Sequence, residues 1–206
     1  MNYVLYNQNL KVSVSDYGAE IQSIKSAKTG IEYLWQGNAE YWKGRAPILF
    51  PICGRLYDKQ YTFNGKTYNM LIHGFARRKM FDVVKKTENS ATLLLCSDED
   101  TRCEYPFDFE LRVTYTLTNS EINIRYDVLN KTKGDMYFSI GAHEGYAISS
   151  AVEDYSAIFE KAETLKIRVF DDPSKEEYKL ISEGKKELPM KNEYFKDDES
   201  LVFVDI

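Results

Sequence analysis

Only two histidines occur in the chain, and both have small neighbours: Ile72-His73-Gly74-Phe75-Ala76-Arg77 and Gly141-Ala142-His143-Glu144-Gly145. Glycine lets a backbone turn sharply or approach a ligand closely, and an imidazole with a pKa near 6.5 gives or takes a proton near neutrality. Together they suit acid and base chemistry, although the same residues also read as two ordinary histidines hydrogen-bonded at strand ends. The histidines lack His-x-x-x-His or His-x-His spacing, so zinc is only a minor alternative. No Gly-x-Ser-x-Gly elbow, Walker loop or Gly-x-Gly-x-x-Gly fingerprint is present, which leaves serine hydrolysis and nucleotide chemistry unsupported. A second unusual segment, Arg45 to Leu56, flanks a short proline-punctuated apolar run with Arg45 and Arg55. Guanidinium groups there suit sugar hydroxyls or a phosphate, and Trp35, Trp42 or Tyr57 could stack on an apolar sugar face. Against this, most aromatics belong to cores and most arginines to surface ion pairs, and Arg77-Arg78 is open to the same two readings.

The elements that must hold these groups are strands. Phe109, Leu111, Val113, Tyr115 and Leu117 alternate with polar residues, and after Thr118-Asn119-Ser120 the alternation resumes at Ile122, Ile124, Tyr126 and Val128. A period of two places one set on a core and the other in water, so the two runs read as an antiparallel hairpin. Shorter runs at Leu10 to Val14, Phe81 to Val84, Leu93 to Cys96, Met136 to Ile140, Leu165 to Val169 and Leu201 to Val204 extend the pattern. Repeated short strands predict an all-β chain, a large antiparallel β-sandwich or barrel. Turn signals stand at Lys28-Thr29-Gly30, Asn64-Gly65, Lys133-Gly134-Asp135 and Asp171 to Ser174, with Asn64-Gly65 the cleanest hairpin turn. Ala151 to Ala162 fits a helix or a strand. Residues 171 to 200 turn polar and read as solvated surface.

The 206 residues, 43% hydrophobic and 14% aromatic, exclude disorder and fit one domain spanning residues 1–206. A net charge of −5 argues against nucleic acid partners, since these require phosphate neutralisation by cations. No apolar stretch approaches a membrane span and no leader pattern opens the chain, so a cytoplasmic protein without a membrane partner is expected. Cys53, Cys96 and Cys103 form no Cys-x-x-Cys pair and are expected as reduced, mostly buried thiols.

Taken in order, Asn9-Leu10 to Gly18-Ala19-Glu20-Ile21, Arg45 to Leu56, Asn64-Gly65-Lys66-Thr67-Tyr68, Ile72 to Arg77 and Gly141-Ala142-His143 resemble the aldose 1-epimerase (mutarotase) family, most closely its LacX-like branch. The resemblance spans essentially the whole chain. It implies a galactose mutarotase-like sandwich that interconverts the α and β anomers of a hexose or hexose phosphate with no cofactor and no metal. In that chemistry an acid protonates the ring oxygen while a carboxylate takes the anomeric proton. By motif match His143 is the acid, His73 orients the sugar near its ring oxygen, Arg55 binds hydroxyls and Arg77 is a further substrate contact. The family's base is a glutamate in a strand near the carboxyl end, and no residue after Asp198 supplies it, so the last strands and the base are expected beyond residue 206. Glu144 stands beside His143 but is expected to point to the opposite face. An alternative implied by the missing base is a carbohydrate-binding protein with impaired turnover. Unpaired strand edges further predict aggregation or a homodimer.

Overall fold

The computed structural model describes residues 1–169, 177–198 and 201–204, and the expected turn at Asp171 to Ser174 lies outside them. The backbone forms two compact units, Met1–Ala147 and Ile148–Ile206.

In the first unit, β1 (Asn2–Tyr6), β2 (Leu10–Ser15) and β3 (Ile21–Ser26) make a three-stranded antiparallel sheet. Two short pieces follow: β4 (Ile48–Leu49) and the hairpin β5 (Gln60–Phe63) and β6 (Lys66–Asn69). Asn64 and Gly65 turn this hairpin with φ of 49° and 75°, the pair of positive values that a two-residue type I′ turn needs. Next come β7 (Asp82–Lys86), β8 (Ser90–Cys96), a short helix α1 (Glu99–Glu104), β9 (Phe109–Thr118) and β10 (Glu121–Asn130). The four strands form a sheet in the order β10-β9-β8-β7, with the expected β9–β10 hairpin paired in unbroken register. β11 (Gly141–Ala142) pairs with β4.

The alternating residues of the two sheets meet in a single core. Leu5, Val12, Val14 and Ile21 from the first sheet pack with Leu93, Leu111, Val113 and Tyr115 from the second, all essentially without solvent contact. Tyr115 is satisfied in this apolar setting because its hydroxyl donates to the Ala19 carbonyl at 2.6 Å, tying β9 to the turn between β2 and β3. Phe50, Phe75, Tyr105 and Phe109 close the core in a cluster of tilted and edge-on rings. The expectation of an antiparallel sandwich is met in this unit.

In the second unit, β12 (Ser156–Val169), β13 (Glu177–Pro189) and β14 (Phe203–Val204) form a sheet in the order β13-β12-β14. The ambiguous segment is therefore a strand from Ser156, and the Leu201 to Val204 expectation is met over its last two residues. β13 went unread because its middle, Ser182 to Glu187, carries no apolar side chain and its alternation is confined to Glu177–Leu180; among its described side chains only Leu188 is buried.

Two expectations need correction, and one element had not been expected. Met136 to Ile140 forms no strand: Ser139 N donates to Pro51 O at 2.8 Å and Phe138 packs on Phe50, so its apolar side chains dock singly without a ladder. The helix α1 had a signal that was missed, since Asp98 accepts from Thr101 N at 2.6 Å while Thr101 Oγ1 accepts from Asp98 N at 2.8 Å, a reciprocal cap. The three cysteines are exposed. Cys96 falls on the outward side of alternating β8, Cys103 on the outer face of α1, and Cys53 in the turn after β4. Among the described residues no helix is long and apolar enough to cross a membrane.

Candidate active site

His73 occupies a left-handed backbone conformation, φ 64°, followed by Gly74 at φ 68°. At Gly74 a Cβ would stand 2.2 Å from the carbonyl oxygen of Phe50, so only glycine lets the loop lie this close. The same oxygen accepts from Phe75 N at 3.0 Å and Ala76 N at 3.2 Å, pinning the histidine loop to the chain that follows β4. Gly54 completes the clamp: its carbonyl accepts from His73 N at 2.8 Å and its amide donates to His73 Nδ1 at 3.0 Å.

That last bond fixes the chemistry of the ring. With Nδ1 accepting, the neutral imidazole carries its proton on Nε2, which is left as a donor. Burial, reinforced by the charges of His143, Arg77 and Arg55, pushes the His73 pKa below its usual 6.5, so the neutral form prevails at pH 7.

His143 follows β11 and is exposed. Its ring centre lies 5.5 Å from that of His73 and 5.0 Å from the Trp42 ring. Two tryptophans buttress this loop. A Cβ at Gly145 would sit 2.9 Å from both Trp35 and Trp42, Trp35 N donates to Gly145 O at 2.8 Å, and Trp35 Nε1 donates to Trp42 O at 2.8 Å. Of the three aromatic candidates, Trp42 therefore reaches His143, Trp35 supports it, and Tyr57 stands 84% exposed with no ring partner among the described residues.

The arginines divide. Arg45 is committed to structure: its guanidinium bonds Gln22 Oε1 and Gln36 O, and its amide and that of Ala46 donate to Glu20 Oε1 at 2.8 and 3.0 Å. Arg55 is exposed on the loop that carries Gly54. Arg77, in the 3-10 turn Ala76–Arg78, borders a depression of about 310 Å³ shared with Trp42, Lys43 and Arg78. Its Nε is buried without an acceptor among the described residues. Glu144 faces elsewhere, into a separate cavity of about 510 Å³ with Ile21, Ile124 and Tyr146. The sequence reading did not foresee Gly54 as the donor that sets the His73 tautomer; its only trace was a Gly-Arg step after Cys53.

Comparison with known proteins matches residues 1–200 to the family described as Aldose 1-epimerase. The chain belongs to the aldose 1-epimerase family. This epimerase-family chain is 37% identical over 177 residues to Protein LacX of Lactococcus lactis subsp. lactis, a match covering 81% of the chain and 59% of LacX. It thus spans about three-fifths of the length of that relative. A galactose mutarotase related enzyme from Lactobacillus acidophilus superposes with a TM-score of 0.89 at 39% identity, over 96% of the epimerase-family chain and 68% of that structure. A galactose mutarotase-like protein from Lactobacillus casei ATCC 334 gives 0.84 at 29% identity, over 92% and 67%. The fold is a galactose mutarotase-like β-sandwich.

Proposed function

We propose that this chain carries the sugar-binding and proton-donating part of an aldose 1-epimerase acting on a hexose or hexose phosphate. In the reaction, the protonated imidazole of His143 donates to the ring oxygen as the C1–O5 bond breaks, and a carboxylate base takes the anomeric hydroxyl proton, leaving an open-chain aldehyde. Rotation about C1–C2 presents the other carbonyl face, and reclosure returns both protons. His73 donates from Nε2 to a sugar oxygen beside the reacting centre, while Arg55 and Arg77 hold hydroxyl or phosphate oxygens and Trp42 offers an apolar face. The base is assigned to none of residues 1–206.

The observation that supports this reading is the histidine pair itself, two rings 5.5 Å apart with one held neutral by a main-chain amide and the other exposed against a tryptophan. Two structural histidines would need no main-chain amide to fix one ring as an Nε2 donor beside the other. Proton-NMR exchange between α and β anomers of galactose, glucose and their 6-phosphates tests it: exchange above the spontaneous rate that depends on His143 supports the enzyme. A second reading, a sugar-binding protein without turnover, is favoured by one fact: among the described residues neither imidazole is hydrogen-bonded or ion-paired to a carboxylate. Sugar affinity without exchange, in folded protein, selects it.

A further inference from the structure

Glu20 lies in the turn between β2 and β3, far in sequence from either histidine. The turn is firmly held: Gly18 N donates to Lys79 O at 2.8 Å, and the Ala19 carbonyl receives the buried Tyr115 hydroxyl at 2.6 Å. From this base the Glu20 carboxylate reaches the segment leading into β4. Oε1 accepts from Arg45 N at 2.8 Å and Ala46 N at 3.0 Å, while Oε2 accepts from Gln22 Nε2 at 2.9 Å. Gln22 in turn accepts from the Arg45 guanidinium.

The segment held in this way runs beside the His143 loop. β4 and β11 pair as Leu49 with Gly141 and Ile48 with Ala142, and the same register carried outward sets Pro47 opposite His143 and Arg45 opposite Gly145. Proline has no amide to give, so the ladder loses a donor at the position of His143 itself. It is taken up again at Gly145, whose amide donates to Arg45 O at 2.7 Å. The return bond of that pair is absent because both of its groups are engaged elsewhere, Arg45 N on Glu20 and Gly145 O on Trp35 N at 2.8 Å. His143 is therefore suspended between the Gly141–Leu49 pairing and the Gly145–Arg45 bond, and Glu20 fixes the residue that carries the second. The His73 loop is tied instead to Phe50 and Gly54.

We infer that Glu20 is a positioning residue for His143: its carboxylate sets where Arg45 stands, and Arg45 sets where the His143 ring stands against Trp42. The consequence for catalysis rests on the reading of His143 as the proton donor; the placement of the ring does not. The role requires reach more than charge. Glu20→Asp keeps the carboxylate but draws it back by one methylene from both amides, whereas Glu20→Gln keeps the reach and an accepting oxygen.

Proton–carbon NMR of the imidazole Cε1–H groups at constant pH reads this directly, since the chain's two histidines give one signal each. Trp42 has ties of its own, to Asn38 O at 2.9 Å and from Trp35 Nε1 at 2.8 Å, so the ring current it exerts on His143, 5.0 Å away, reports movement of the histidine. In Glu20→Asp the His143 signal is expected to move well beyond that of His73, and in Glu20→Gln both are expected near their wild-type positions. Displacing a catalytic group by about 1 Å costs on the order of a hundredfold in rate, so anomer exchange in Glu20→Asp should fall roughly ten- to hundredfold in kcat, with sugar affinity within about twofold and most of the rate recovered in Glu20→Gln. An unmoved His143 signal in Glu20→Asp overturns the inference, as do equal shifts of the two histidines or a Glu20→Gln variant as perturbed as Glu20→Asp. A displaced His143 with exchange at the wild-type rate overturns its role as the acid and leaves its placement by Glu20 standing.

Discussion

The two histidines differ in how their rings are held. The Gly54 amide on Nδ1 makes His73 a fixed donor through Nε2, and protonating that ring would set an N–H against an N–H. Sugar affinity should therefore hold above pH 6.5 and fall as the pH drops toward the lowered folded pKa of His73. Stability shifts in the same sense: the unfolded imidazole takes up its proton near 6.5 and the folded one only at lower pH, so acid favours the unfolded chain across that window and the loss levels off below it. Titration by isothermal calorimetry and denaturant melts between pH 5 and 8 check both, and an affinity that rises on acidification would sink the assignment. For His143→Ala the expected outcome is a roughly hundredfold to ten-thousandfold loss of anomer exchange with sugar affinity little changed. Exchange at the wild-type rate in that variant removes His143 from the chemistry. Both histidines were visible in the sequence because their neighbours are small. The arginines were less legible: spacing alone left Arg45 and Arg55 level and only the family resemblance singled out Arg55, while folding turns Arg45 toward Gln22 and Gln36.

Strands announced themselves where one face was apolar and the other polar. β9 alternates without a break from Phe109 to Leu117 and was legible at once, whereas β13 alternates only over Glu177–Leu180, turns polar from Ser182 to Glu187, and took its form from pairing with β12. Met136 to Ile140 shows the converse, an apolar run with strand character whose backbone bonds singly, Ser139 N to Pro51 O, and joins no ladder. The short elements rest on single residues. Asp98→Ala should cost about 1 kcal/mol by removing the cap of α1, measurable as a fall in the urea midpoint at constant slope. Gly74→Ala should be far worse than Gly30→Ala: both have positive φ, but a methyl at 74 meets the Phe50 carbonyl at 2.2 Å while one at 30 meets nothing within 4 Å. Comparable melting temperatures for the two would show that the loop can retreat from Phe50.

Across the first unit, the sandwich depends on two sheets whose inner faces are almost entirely apolar, with the Tyr115 hydroxyl reaching Ala19 in the turn between β2 and β3. Tyr115→Phe keeps the ring but strands the Ala19 carbonyl, and a loss of about 1–3 kcal/mol in denaturant unfolding is expected. A change under a few tenths would mean that the carbonyl finds another donor. The fold class was readable from the spacing of short strands. The partition at Ala147 was not, because Tyr146 to Ser150 carries no proline or glycine run to mark it.

The clamp between Gly54 and His73 has a genetic corollary. A proton position held by a side chain can be lost through many single codon changes, but this one is held by a main-chain amide, which every amino acid except proline supplies. Substitutions at 54 would tax the backbone, at φ 84°, without deleting the donor. Drift at this codon is thus expected to be felt first as lower protein yield, and only afterwards as altered proton transfer.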